Sequence, residues 1–223
     1  VEKEIDNLIE KHFDDVAPHE VLVSEDPNTE VILSDVVHQY KIPLTMIGRK
    51  NQLKGSGALG TKLMKILPSN VLVVPEEATH SISRILVPID FSKGSNKALQ
   101  TGFALAQHWD VAADALHVYK LTSQYFPMVS ESEAVKRTES HIRKKFEEFK
   151  KKHPEYGSVN FTYKRAAGLS IAGRIQDYLN HNNNDFVVLG HRGSNPLHVL
   201  KLGTVPAELY TLDLPVPVLM VYS

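Results

Sequence analysis

Five stretches of the chain are apolar almost throughout and rich in β-branched residues: 43–47 (PLTMI), 70–74 (NVLVV), 84–89 (RILVPI), 185–189 (DFVVL) and 216–222 (VPVLMVY). Runs this hydrophobic read as parallel strands covered on both faces, because a strand with one wet face alternates. Between them the period becomes helical. Residues 95–108 set Leu99, Phe103 and Ala106 on one face behind Ser95, a candidate N-cap. Residues 132–152 space Val135, Ile142, Phe146 and Phe149 in the same way, which leaves a Lys/Glu-rich remainder as a solvated face. Residues 170–180 repeat the theme with Ile171, Ile175 and Leu179. Strand alternating with helix predicts an α/β fold: an open parallel sheet with helices on both faces and right-handed crossovers.

The pattern also recurs. The stretch VILSDVVHQYKIPLTMIG is followed by a Gly-rich loop ending in Gly60-Thr61, a helical segment and NVLVVP. The stretch IAGRIQDYLNHNNNDFVVLG is followed by a loop ending in Gly203-Thr204, another helical segment and PVLMVY. Gly48 and Gly190 stand at equivalent places, 142 residues apart, so the repeat is domain-sized. The expected organisation is a partial first repeat over residues 1–78, without its opening strand, first helix and second strand, followed by a complete repeat over 84–223. The join falls in the polar stretch EEATHSIS at 76–83. Val1 in place of an initiator methionine points to a processed chain or a fragment.

Composition narrows the chemistry. A net charge of −1 gives no overall attraction to nucleic acid or an anionic membrane. The absence of cysteine removes disulfides, thiolate chemistry and cysteine zinc sites, and the eleven histidines show no zinc spacing. No apolar run approaches the length of a membrane span, so the expectation is a soluble, cytoplasmic protein without nucleic-acid or membrane partners. No Gly-x4-Gly-Lys-(Ser/Thr) motif occurs, no carboxylate stands where it would activate water, and the last strand ends in Val221-Tyr222-Ser223, without the lysine that a phospho-receiver needs there. Binding with a signalling output is expected rather than catalysis, with slow hydrolysis of the bound ligand as the most that chemistry would add.

The candidate site is GHRGSNPLHVLKLGT, residues 190–204. It follows a strand, where ligands meet the carboxyl edge of a parallel sheet. Gly190 and Gly193 allow left-handed backbone angles and close approach to phosphate oxygens, and Gly203 lets the chain pass beside a ligand. A helix starting near Thr204 would aim its free N–H groups at an anion, and the Thr204 hydroxyl could bond a phosphate oxygen or cap that helix. Arg192, His198 and Lys201 supply positive charge, Arg192 alone with a bidentate fork. Asp90 could accept from ribose hydroxyls behind the stiff Pro88, or simply cap the next helix. His117 lies on a strand pattern and reads as a satisfied core histidine.

Together ILVPIDFSKGSNKAL (85–99), ALHV (115–118) and the 190–204 loop resemble the universal stress protein family in its tandem-repeat form. The resemblance implies a Rossmann-like fold and ATP as ligand, with magnesium. The family's nucleotide-binding signature, Gly-x2-Gly-x9-Gly-(Ser/Thr), falls on Gly190, Gly193, Gly203 and Thr204, with Arg192 and Val205 beside it. Its nucleoside-contacting aspartate falls on Asp90 after Pro88, and its adenine-facing backbone on Val118. The first repeat departs from this pattern: its loop GRKNQLKGSGALGT has Asn51 where the second glycine belongs, and its Gly-Thr comes one residue early. That copy is not expected to bind nucleotide by itself. In this family the last strands of two domains pair, which predicts antiparallel pairing of Val71 to Val74 with Val218 to Val221, within the chain and in a homodimer. The competing expectation is an assembly module of the same fold that works through its sheet edge and binds no nucleotide.

Overall fold

The apolar runs become strands of a single sheet. The computed structural model describes residues 2–12, 18–50, 56–78, 81–121, 129–191, 202–212 and 214–222. Its strands are β1 (Leu44–Arg49), β2 (Asn70–Pro75), β3 (Arg84–Pro88), β4 (Ala112–Tyr119), β5 (Asn160–Arg165), β6 (Phe186–Gly190) and β7 (Val218–Val221), ordered β1-β2-β7-β6-β3-β4-β5 across the sheet. The described helices are α1 (Glu2–His12), α2 (Thr29–Gln39), α3 (Ser56–Ile66), α4 (Lys93–Trp109), α5 (Glu131–Lys152), α6 (Ile171–Asn182) and α7 (Thr204–Thr211), with a short 3-10 turn at Pro154–Tyr156. The chain runs outward from β3 through β4 to β5, returns to β6 on the other flank of β3, and continues to β7. The order therefore reverses between β3 and β6, the place where open parallel sheets hold ligands.

Every strand pair is parallel except one. β2 and β7 run antiparallel, with Val71 opposite Met220, Leu72 opposite Leu219 and Val73 opposite Val218. This is the pairing expected of those two apolar segments, made within one chain. Two strands lie outside the five apolar runs: β4 (AADALHVY) is interrupted by Asp114 and His117, and β5 (NFTYKR), at the sheet edge, has no fully buried position. Other strand limits shift by one or two residues from the apolar runs.

Two apolar layers sandwich the sheet. On one face Leu63, Met64 and Leu67 from the α3 region join Ile175 and Leu179 of α6, Leu209 of α7, and Val71, Val73, Leu86, Leu116 and Met220 from the strands. On the other, Leu99 of α4 and Ile142, Phe146 and Phe149 of α5 cover Ile85, Val87, Val188, Leu219 and Val221. Ile85, Leu86 and Val87 are each 0% exposed, worth about 2 kcal/mol apiece. The second layer stops short of β1, where Leu44 and Met46 remain 41% and 65% exposed.

Short polar residues stand at the helix ends. Ser130 and Ser170 cap α5 and α6 by accepting from Glu133 N and Gly173 N, and Asp110 and Asn183 close α4 and α6 in the left-handed region. The cap of α4 is Ser92, not Ser95: Ser92 Oγ accepts from Ser95 N at 3.2 Å, so Ser95 lies inside the first turn and is buried. At the amino ends of the strands Asp114, 2% exposed, accepts from Arg84 Nη1, Asn160 Nδ2 and Asn184 Nδ2, while the Asp185 carboxylate binds the backbone N–H of Ser83 and Arg84. These bonds fasten β3, β4, β5 and the entry to β6 at the rear, which leaves their carboxyl ends to carry a site.

Candidate functional site

At the carboxyl ends of β3 and β6, two helix starts meet. β3 ends at Pro88, and two residues later Asp90 stands exposed. Its Oδ1 accepts from Ser92 N at 2.9 Å and its own N–H reaches Ser95 Oγ at 3.3 Å. Asp90 therefore makes the turn into α4 but does not cap it, and its exposed carboxylate faces solvent at the sheet edge. Between Asp90 and the cap, Phe91 holds φ +62, a left-handed backbone rare for a bulky side chain. Its ring is anchored 5.2 Å from His117 and 5.2 Å from Phe146, with Lys145 Nζ 5.9 Å over its centre. That packing offsets the strain and fixes the turn.

His117 is half-buried on β4, and its Nδ1 lies 2.8 Å from the carbonyl oxygen of Ile89. A carbonyl only accepts, so Nδ1 carries the proton. Burial pushes the imidazole below its ordinary value of 6.5, against the Ile89 carbonyl and Asp90, which raise it. The core-histidine reading fits this geometry: His117 pins the strand end from which Asp90 departs. Next to it Val118 is 8% exposed and pairs in register with Lys164 of β5. Tyr119 donates to Glu139 at 2.8 Å, and burial together with that bond raises its phenol to about 12.

Gly190 ends β6, paired with Val221. Its reason for being glycine differs from the one expected. It belongs to an extended strand, and a Cβ there would meet the carbonyl carbon and oxygen of Gly94 at 2.7 Å. Glycine at 190 thus lets the first turn of α4 press backbone against backbone on the strand end. The opposite flank is formed by α7. Gly203 is its N-cap (φ −60, ψ 154) and Thr204 its first residue, so Thr204 does not cap it. Gly203 N donates to His191 O at 2.9 Å, which ties together the two ends of the intervening loop. Thr204 is exposed, and Val205 is partly buried against the core. Arg192, Gly193, His198 and Lys201 lie outside the described residues.

Pro88, Asp90, Val118, Gly190, Gly203, Thr204 and Val205 therefore stand on neighbouring strand ends or at the start of α7. The N-termini of α4 and α7 both lie at this end of β6, α4 against Gly190 and α7 through the bond from Gly203 to His191. Neither has an acidic residue in its first turn, which favours an anion, while the Asp90 carboxylate already accepts from Ser92 N just ahead of α4. Among the described residues no group of three His, Asp or Glu could hold a metal ion. The sequence reading missed Ser92, Phe91 and His191. The last is 2% exposed and follows Gly190 just as Arg49 follows Gly48, a signal that was available in the repeat.

The family model described as "Universal stress protein family" matches residues 81–221. Among solved structures, universal stress protein UspA from Lactobacillus plantarum is 22% identical over 64% of this chain and 99% of its own, with a TM-score of 0.50. A universal stress protein from Archaeoglobus fulgidus is 15% identical over 99% of this chain and 75% of its own, with a TM-score of 0.64. A functionally unknown protein from Pseudomonas aeruginosa is 14% identical over 99% of this chain and 76% of its own, with a TM-score of 0.65. At these identities the structural likeness speaks for the fold alone. No curated protein matches the chain.

Proposed function

The chain belongs to the universal stress protein family, and on that premise we propose that it binds ATP at the carboxyl ends of β3, β4 and β6 and acts as a stress-response sensor or signalling module. In this reading residues 84–223 form the complete nucleotide-binding repeat, and residues 1–78 form a partial repeat with a degenerate loop. The observation that carries it is the meeting of two acid-free helix N-termini, α4 and α7, beside the exposed carboxylate of Asp90. The helix starts suit phosphates and Asp90 suits ribose hydroxyls. Adenine would rest against the backbone of Val118, and Arg192 and Gly193 are proposed as phosphate contacts. Magnesium would travel on the phosphates, since no described cluster of ligands is built for it. No described helix is long and apolar enough to cross a membrane, and a cytoplasmic protein is part of the proposal.

Calorimetry with ATP and magnesium tests this. The wild-type chain should bind, Gly193→Val should abolish binding, and Asp90→Ala should weaken it about tenfold, the loss of one charge-assisted hydrogen bond. No binding by the wild type, or unchanged binding by Gly193→Val, would sink the site.

A second reading rests on β1. Its Leu44 and Met46 stay exposed at an edge strand, the kind of surface that recruits another sheet. As an assembly module the chain would form homodimers. Sedimentation that shows only monomer at every concentration would rule this out.

A further inference from the structure

The residues that follow the two repeat glycines each cross to the other half of the molecule. His191 is 2% exposed, and its Nε2 lies 2.5 Å from the carbonyl oxygen of Met64 in α3. Nε2 must carry the proton, because the carbonyl can only accept. Through its backbone the same residue receives Gly203 N on its carbonyl at 2.9 Å and donates its N–H to Val221 O at 2.9 Å. His191 thus joins the end of β6, the end of β7, the N-cap of α7 and helix α3. Arg49 mirrors it. It is 9% exposed and donates from Nη1 to Tyr210 O at 3.1 Å and from Nη2 to Leu214 O at 2.9 Å, at the carboxyl end of α7, with its guanidinium 5.8 Å over the Tyr210 ring. Tyr210 in turn lies on α3 at Gly60, where a Cβ would overlap its hydroxyl.

Helix α7 is therefore held at both ends by the N-terminal half: at its carboxyl end directly through Arg49, and at its amino end through His191, which α3 anchors. We propose that Arg49 and His191 are positioning residues that couple α3 to the nucleotide site, so that residues contributing no ligand contact set how well α7 presents its N-terminus. The proposal rests on the nucleotide reading above and assigns the partial repeat a regulatory task within it. Coupling between sites is reciprocal: if the seating of α3 tightens ATP binding, ATP must steady α3 by the same factor.

The test pairs calorimetry with amide hydrogen exchange on the full chain. His191→Ala should weaken ATP about tenfold, within the usual span of coupling energies. His191→Gln, which keeps an N–H at a similar reach, should stay within about threefold. Saturating ATP should slow exchange across residues 59–67 of the wild type, and His191→Ala should lose that effect. Should His191→Ala fail to fold, Arg49→Gln, which loosens the carboxyl end of α7 instead, carries the same tenfold expectation. Wild type that binds ATP with unchanged exchange at 59–67, or His191→Ala that binds like wild type, would overturn the coupling and leave the site standing. If wild type binds no ATP, the nucleotide reading itself falls. The ligand-free protein then decides the positioning: His191→Ala should speed exchange at the Gly203 and Ala207 amides beyond its global loss of stability, and equal exchange would refute it.

Discussion

Gly190 closes β6 and Gly48 stands next to last in β1, each one strand away from the central antiparallel seam, yet they stand in different surroundings. Around Gly190 the next strand, β3, delivers α4, whose first turn lies so close that a Cβ would strike Gly94 at 2.7 Å. Around Gly48 a Cβ would meet nothing within 4 Å. The strands behind them differ in the same sense: β6 is buried at four of its five positions, while β1 alternates and exposes Met46. A glycine pattern thus makes a candidate site only where a neighbouring strand brings a helix start and a carboxylate to its side. At 48 the pattern persists in part, but the described structure sets neither beside it.

This contrast predicts unequal costs for equal substitutions. Gly190→Ala drives a methyl group into backbone atoms that cannot step aside and should lose about 3 kcal/mol in urea unfolding, whereas Gly48→Ala should change stability by less than about 0.5 kcal/mol. Equal losses would mean that the two strand ends are packed alike. One step down in size are Val188, 0% exposed, and Met46, 65% exposed, which occupy matching positions of β6 and β1. Val188→Ala should cost about 2 kcal/mol through lost burial and a cavity, and Met46→Ala close to nothing. If Met46→Ala proves costly, something covers β1 in solution, and the assembly reading gains.

The smallest effect concerns pH and belongs to the Gly190 side alone. His117 titrates below 6.5 in the folded chain because it is buried, so below that pH the unfolded chain takes up a proton that the folded chain refuses. Stability should therefore fall as pH drops from 6.5 toward the lower folded value. His117→Asn, which keeps a donor for the Ile89 carbonyl, should flatten that part of the profile relative to wild type. An unchanged slope would show that His117 is solvated.

Much of this was legible in the residues. Most strands buried on both faces announce themselves as unbroken apolar runs; Asp90 and Gly190 stood out by their place after strands, and Gly203 by its place before a helix. What stayed hidden depends on tertiary neighbours. β4 is interrupted by Asp114 and His117, and β5, at an edge, has no fully buried position. The cap of α4 moved to Ser92 because Asp90 and the left-handed Phe91 make a turn first, and that turn is held by an aromatic cluster drawn from β4 and α5. Gly190 looked like a phosphate contact, but its lack of a Cβ is already required by Gly94, 96 residues earlier in the chain. His191 could be dismissed as a metal ligand from spacing, but its bond to Met64 spans 127 residues.

The central proposal is that the chain has one nucleotide site, at the β3–β6 strand ends, and not a second at β1. Photolabelling with 8-azido-ATP, followed by peptide mapping, tests it most directly. The account predicts labelling, blocked by excess ATP, in peptides that carry Val118 or the 190–205 segment. Labelling concentrated in residues 44–61, or labelling that ATP does not compete away, would contradict it.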